Sequence, residues 1–303
     1  MKAYLDSAVS TALRMRWISV QCYEIVLPNG KVIVTDPFFW DGNNIEDPEK
    51  LSSEDKGLYK VYKQDGFSID QFTGADYIII SHIHGDHINM VGKLWEKFHG
   101  RIFVSAGAAQ EIAKIFDIPY GAIYPLWPGN TYYFDDFTLK VYPAAHDARQ
   151  FRMGNFMRPT DPEDTSKGSS IFDIPNPNES WGLGYLFNIN FMIETNNNFK
   201  MDFSAGMDFE EHARHMKDEK PNIMLRHRIR SYTPEYYASQ LEMMGAQLIL
   251  PLHHNNARAS DEDLNDYFEK VNAVLKAHNY PGMAFNPEPY KWYTVQTSII
   301  KEQ

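Results

Sequence analysis

The sequence predicts a single α/β domain in which short buried strands alternate with amphipathic helices. Two observations carry this. Tyr77-Ile78-Ile79-Ile80 is a continuous apolar run rich in β-branched residues. It leads through the polar stretch Ser81–His87 into Ile88, Val91, Leu94, Trp95 and Phe98, which recur at helical spacing, so the segment reads as strand, loop, helix. No internal repeat or linker composition breaks the chain, so residues 1–303 are expected to form one domain.

Composition narrows the function classes. With 303 residues, 43% of them hydrophobic, the chain can bury a sizeable core. A net charge of −11 disfavours nucleic-acid binding, which needs a broad basic face. The single cysteine, Cys22, excludes an intrachain disulfide and fits a reducing compartment. It also leaves any metal site to His, Asp and Glu. No apolar leader follows Met1, and no run reaches the roughly 18 apolar residues of a membrane span. A cytoplasmic protein acting on a small molecule is the expectation, with homo-oligomerisation left open.

In chain order, residues 1–14 place Leu5, Val9 and Leu13 on one face of a short helix. Residues 16–26 read as one strand, Pro28-Asn29-Gly30 as a hairpin turn, and 31–35 as the return strand ending at Asp36-Pro37. Phe38, Phe39 and Trp40 are expected to pack. Residues 41–73 and 148–182 lack periodicity and are expected to be insertions or lids. Residues 101–104 form a strand, and Ser105 is placed to cap a helix over 106–116. A hairpin over 131–142 turns at Asp135-Asp136. Residues 184–194 and 199–204 are strands joined by Asn196-Asn197-Asn198. Residues 222–225 and 247–250 are further strands. Thr233-Pro234-Glu235 opens a helix that Gly245 ends, and Ser260 with Asp263 opens the last helix, 261–278.

The chemistry concentrates in Ser81–His87, where His82, His84, Asp86 and His87 lie within six residues. Alternation along an extended stretch lets His82 and His84 grip one ion, while Asp86 and His87, at the turn into the helix, can face a second. Neutral imidazoles with carboxylates suit zinc, manganese or iron. Four groups do not complete two sites. The candidates to finish them follow apolar strands elsewhere: His146, Asp208 with Asp202 as its rival, and His253 with His254 as its rival. The basic cluster Arg226, His227, Arg228 and Arg230 follows a strand and could bind a phosphate or carboxylate. Arg149 and Arg152 are similar candidates. His212 and His215 are expected on a helix surface.

Strand, His-x-His-x-Asp-His, helix, then His146, Asp208 and His253, with Asp36-Pro37 upstream and Pro251-Leu252-His253 downstream, resembles the metallo-β-lactamase superfamily over about residues 15–295. Within it, the Asp-Pro, Pro-x-His and Thr-Pro-Glu elements look most similar to the L-ascorbate-6-phosphate lactonase-like branch. The resemblance implies an αββα sandwich of two packed mixed sheets with helices on both outer faces. It implies that His82, His84 and His146 hold one divalent ion, that Asp86, His87 and His253 hold a second, and that Asp208 bridges them. It departs from the family in placing Met207 between Gly206 and Asp208. Asp36 would orient a ligand histidine.

The implied reaction is hydrolysis by a water shared between two divalent ions, zinc foremost with manganese or iron as alternatives, whose pKa falls from 15.7 toward roughly 7. Asp86 would orient that water and shuttle its proton. A small-molecule ester or lactone, phosphorylated or otherwise anionic, is the expected substrate. A phosphodiesterase and a non-catalytic metal-binding regulator are the alternatives.

Overall fold

The computed structural model describes residues 12–39, 67–146, 187–206, 209–216, 218–254 and 262–295. Two seven-stranded mixed sheets pack face to face. The first carries β1 (Leu13–Ser19), β2 (Cys22–Val26), β3 (Val32–Thr35), β4 (Tyr77–Ile79), β5 (Arg101–Ser105) and β6 (Ile123–Leu126) in that order. The second carries β7 (Thr131–Tyr133), β8 (Phe137–Pro143), β9 (Ile189–Thr195), β10 (Lys200–Ser204), β11 (Ile223–His227), β12 (Leu248–Leu252) and β13 (Met283–Ala284) in sequence order. The chain then returns to the first sheet, where β14 (Tyr293–Val295) pairs antiparallel with β1.

Each sheet is half antiparallel and half parallel. In the first, β3, β4, β5 and β6 run parallel; in the second, β10, β11, β12 and β13 do. Side chains alternate across a strand, so each sheet presents two apolar faces. Trp17, Ile25, Ile33, Ile79 and Phe103 meet Leu139, Val141, Phe191, Phe203 and Leu225 between the sheets. On the outer face of the first sheet lie α1 (Gly85–Ile88), α2 (Val91–Phe98) and α3 (Ala109–Phe116), the last two burying Val91, Leu94, Ala109 and Ile112. On the outer face of the second lie α4 (Phe209–Met216), α5 (Pro234–Met244) and α6 (Leu264–Ala277). The order of layers is αββα.

Several local expectations change. Residues 16–26 form a hairpin rather than one strand: Ser19 pairs with Cys22 across Val20-Gln21, where Val20 has φ +46°. No Gly, Asn or Pro marks that turn. Leu13 and Arg14 belong to β1 rather than to a helix, and the remainder of that predicted helix lies outside the described residues. The helix after Ser105 begins four residues later, behind Ala108. Thr233 caps α5 as expected, accepting from the Tyr236 amide, and Gly245 closes it at φ +66°. Asp263 itself caps α6, accepting from the Asn265 and Asp266 amides.

The segment 148–182 and most of 41–73 lie outside the described residues. Residues 67–73, the end of the second of these, pack onto the first sheet. Phe67 and Phe72 are buried against Phe39, and Glu24 accepts from the Thr73 amide and hydroxyl. Among the described residues no helix is long and apolar enough to cross a membrane.

The inter-sheet core makes the sandwich testable. Phe203 is 1% exposed and stacks on Phe191 at 4.7 Å between ring centroids. Phe203→Ala is expected to lower stability by about 3–5 kcal/mol in urea unfolding. A loss below about 1 kcal/mol would contradict the packing.

Candidate metal centre

The parallel strands of both sheets end on one edge of the sandwich, and the chemistry gathers there. Past β4, His82 and His84 are buried; His84 keeps extended backbone (φ −68°, ψ 152°) and serves as N-cap of α1, which carries Asp86 and His87. β8 delivers His146 three residues beyond its end, and β12 delivers His253 one residue beyond its end. His253 takes φ +53°, and its amide donates to the Val20 carbonyl (2.9 Å). The Ile189 amide donates to the Ser81 carbonyl (3.0 Å), so the second sheet is tied to the first on both sides of the cluster.

Among the described residues, three donor groups result. His82, His84 and His146 form one; Asp86, His87 and His253 form a second; Asp36, His82 and His87 form a third, and within each the donor atoms lie within 4.8 Å of one another. The His82 and His87 rings, one from each of the first two groups, are 3.9 Å apart between centroids, so those two triads adjoin. Asp86 spans the second triad, with Oδ2 3.2 Å from His253 Nε2 and Oδ1 3.6 Å from His87 Nε2.

A buried relay fixes which nitrogens face inward. Asp36, at φ +35° just past β3, accepts from the Ser81 amide and the Ser81 hydroxyl, both at 2.6 Å, and from His87 Nδ1–H at 3.0 Å. The Ser81 hydroxyl donates its one hydrogen to Asp36, so its oxygen accepts from His82 Nδ1–H (3.0 Å). Both rings thereby turn their Nε2 lone pairs to the centre. His82 Nε2 is buried with no hydrogen-bond partner, an unsatisfied acceptor beside two other imidazoles. Such a donor set suits a divalent ion.

At His82 and Asp86 the electrostatics agree with ligand roles. Burial, then the surrounding histidines, holds the His82 pKa well below 6.5, so the ring is neutral. Burial alone would raise the Asp86 pKa, but His87 and His253 hold it below the usual carboxylate range. For His87, burial lowers the pKa, and Asp86 and Asp36 outweigh it and raise it.

Among the other candidates, Asp208 lies outside the described residues, as do Arg149 and Arg152. Its rival Asp202 is fully buried on the outer face of β10, where His212 Nε2–H donates to its carboxylate (2.9 and 3.1 Å). His212 is therefore a buried residue of α4, not a surface one, because α4 packs that face onto the sheet. His254, the rival of His253, is buried against Trp17 at 4.2 Å between rings.

The basic cluster divides by strand alternation. Arg226 points to the outer face, fully buried, and does not line the cleft; the expectation that it binds substrate is corrected. A cleft of about 260 Å³ lies between the metal-site histidines and a wall of His227, Arg228 and Arg230. His227 is kept neutral by burial and by His253 and Arg226. Its Nε2 accepts from the Gln21 carboxamide (2.5 Å), which leaves the proton on Nδ1. Arg228 is 1% exposed, lies 3.9 Å over the Tyr267 ring and pairs with Glu262. Sequence reasoning missed Gln21, which sits in the unmarked turn between β1 and β2, and the relay role of Ser81. A larger groove, about 460 Å³ between Tyr77, Arg101 and Tyr133, lies at the opposite ends of the strands, away from the three donor groups.

Asp36→Ala removes the relay without removing a proposed ligand. Zinc affinity in chelator competition is expected to fall about 10–100-fold. Unchanged affinity would contradict the relay.

No protein-family profile matches the chain. Solved structures do. Igni18, described as a novel metallo hydrolase from the hyperthermophilic archaeon Ignicoccus hospitalis, aligns at TM-score 0.62 and 16% identity over 95% of this chain and all of that one. An isothiocyanate hydrolase from Delia radicum gut bacteria aligns at TM-score 0.58 and 12% identity over 92% of this chain and 98% of that one. YhfI of Bacillus subtilis, described as a metallo-β-lactamase fold protein, aligns at TM-score 0.53 and 11% identity over 94% of this chain and all of that one. Two packed mixed sheets, helices on both outer faces and these neighbours establish that the chain has the metallo-β-lactamase fold.

Proposed function

We propose that the chain is a metal-dependent hydrolase of a small-molecule ester or lactone. The observation that carries this is the adjoining pair of triads, with the His82 and His87 lone pairs turned inward by the Asp36–Ser81 relay. Two of the structural neighbours are described as hydrolases, which supports the reaction class. His82, His84 and His146 hold one ion, and Asp86, His87 and His253 hold the second. Asp208 completes the set, because the Asp202 carboxylate is engaged by His212.

Divalent ions bound there would supply a water activated at neutral pH and a Lewis acid for the scissile carbonyl. The protein's own groups do the rest. Asp86, held ionised between His87 and His253, would orient the attacking water by accepting its hydrogen bond. His227, kept neutral by burial and held through Nε2 by Gln21, forms part of the cleft wall, with its Nδ1–H buried behind that wall. Zinc, manganese and iron all suit the donors; one further neighbour, CmlA from Streptomyces venezuelae, is described as a diiron β-hydroxylase, and the match covers 54% of its length.

A panel of lactones, carboxylic esters and phosphodiesters, assayed with zinc and with manganese, tests the reaction. Lactones or carboxylic esters are expected to turn over, and His84→Ala is expected to lose about 10³-fold or more in kcat/KM. Full activity in His84→Ala would sink the assigned roles. Turnover confined to phosphodiesters would replace the substrate class.

A further inference from the structure

Arg226 stands on the second sheet with its guanidinium fully buried beneath α4 and α5. A cation so buried needs acceptors around it. Those it finds belong mostly to one turn. Nη1–H donates to the Ser204 carbonyl (3.1 Å) and to the Gly206 carbonyl, and Nε–H donates to the Gln240 carboxamide of α5 (3.1 Å). Its Cζ lies 4.8 Å from the ring centroid of Phe209, the first residue of α4. One side chain thus grips the chain on both sides of residues 207–208. The pair Asp202–His212 adds a second tie between β10 and α4.

The gripped turn also bears on the candidate metal centre. The Gly206 amide donates to Asn190 Oδ1 (2.7 Å). A Cβ at position 206 would stand 2.9 Å from the Ala144 Cβ and 3.3 Å from the Ala145 carbonyl oxygen, so Gly206 backs directly onto the two residues before His146. An error in the Gly206 turn therefore passes to His146 through hard contacts. Strand register places this grip opposite the site: Ser204 is paired with Arg226, and Arg226 with Pro251, two residues before His253.

We propose that Arg226 is a positioning residue for the metal centre: it sets the Ser204–Gly206 turn, and through it His146. The inference rests on the metal-centre reading of the His82–His146 cluster. A guanidinium is required because one planar group must span two carbonyls and a carboxamide. The ammonium of a lysine reaches fewer of them at once.

Zinc affinity of the full chain, measured by chelator competition, tests this. Arg226→Gln is expected to weaken zinc binding about tenfold, the scale of losing an outer hydrogen-bond partner of a metal site. Arg226→Lys is expected to weaken it comparably. In a His146→Ala background, Arg226→Gln is expected to change affinity by no more than about twofold, because the path is already cut.

Wild-type zinc affinity in Arg226→Gln, with only the metal-free unfolding temperature lowered, would overturn the proposal, since a purely structural role predicts that pattern. So would the same tenfold loss in the His146→Ala background, or full rescue by lysine. If Arg226→Gln does not fold, Gln240→Leu frees one edge of the guanidinium and is expected to weaken zinc binding by a few-fold; unchanged affinity there would equally overturn it. A wild-type chain that binds no zinc would sink the metal-centre reading itself, an outcome distinct from wild-type binding that Arg226 does not influence.

Discussion

Asp36 is a buried carboxylate with three donors aimed at it, and the candidate site depends on that arrangement. A carboxylate 1% exposed would be costly without partners. The Ser81 amide, the Ser81 hydroxyl and His87 Nδ1–H supply them. The consequence runs outward, since Ser81 is left only as an acceptor toward His82. One group thereby fixes the protonation pattern of a histidine in each triad. The positive φ of Asp36 is the local cost of aiming the carboxylate across the edge of β4 rather than along its own strand.

Around this relay the two sheets act as a frame. Their parallel halves end on the same edge, so β3, β4, β11 and β12 all deliver side chains to one place. The hydrogen bonds from His253 to Val20 and from Ile189 to Ser81 hold the edges of the sheets in register across the cluster. The inter-sheet core keeps their separation constant, as close-packed interiors do. Loops anchored in this way can carry ligands from segments more than a hundred residues apart in sequence.

Much of the fold was legible because its signals are local. The apolar run before Ser81, the Asp135-Asp136 hairpin, the Thr233-Pro234 cap and the Gly245 stop each encode structure within a few residues. The β1–β2 turn was not legible, because Val20-Gln21 carries no turn-forming residue and its conformation is set by sheet pairing. In the site, the His82–His87 spacing announced itself, whereas the direction of Arg226 did not. Its neighbours in sequence all looked like one basic rim, but strand alternation sends Arg226 to the outer layer and His227 inward. Asp202 and His212 looked like a spare ligand and a surface residue until the packing of α4 on β10 joined them. These cases turn on which face of a strand or helix is covered, which a single sequence does not state.

If the two adjoining triads hold two ions under the control of the Asp36 relay, anomalous diffraction at the zinc edge from crystals of the zinc-loaded protein will show two peaks, one against His82, His84 and His146 and the other against Asp86, His87 and His253. A single peak, or peaks placed away from these side chains, would rule out the paired site.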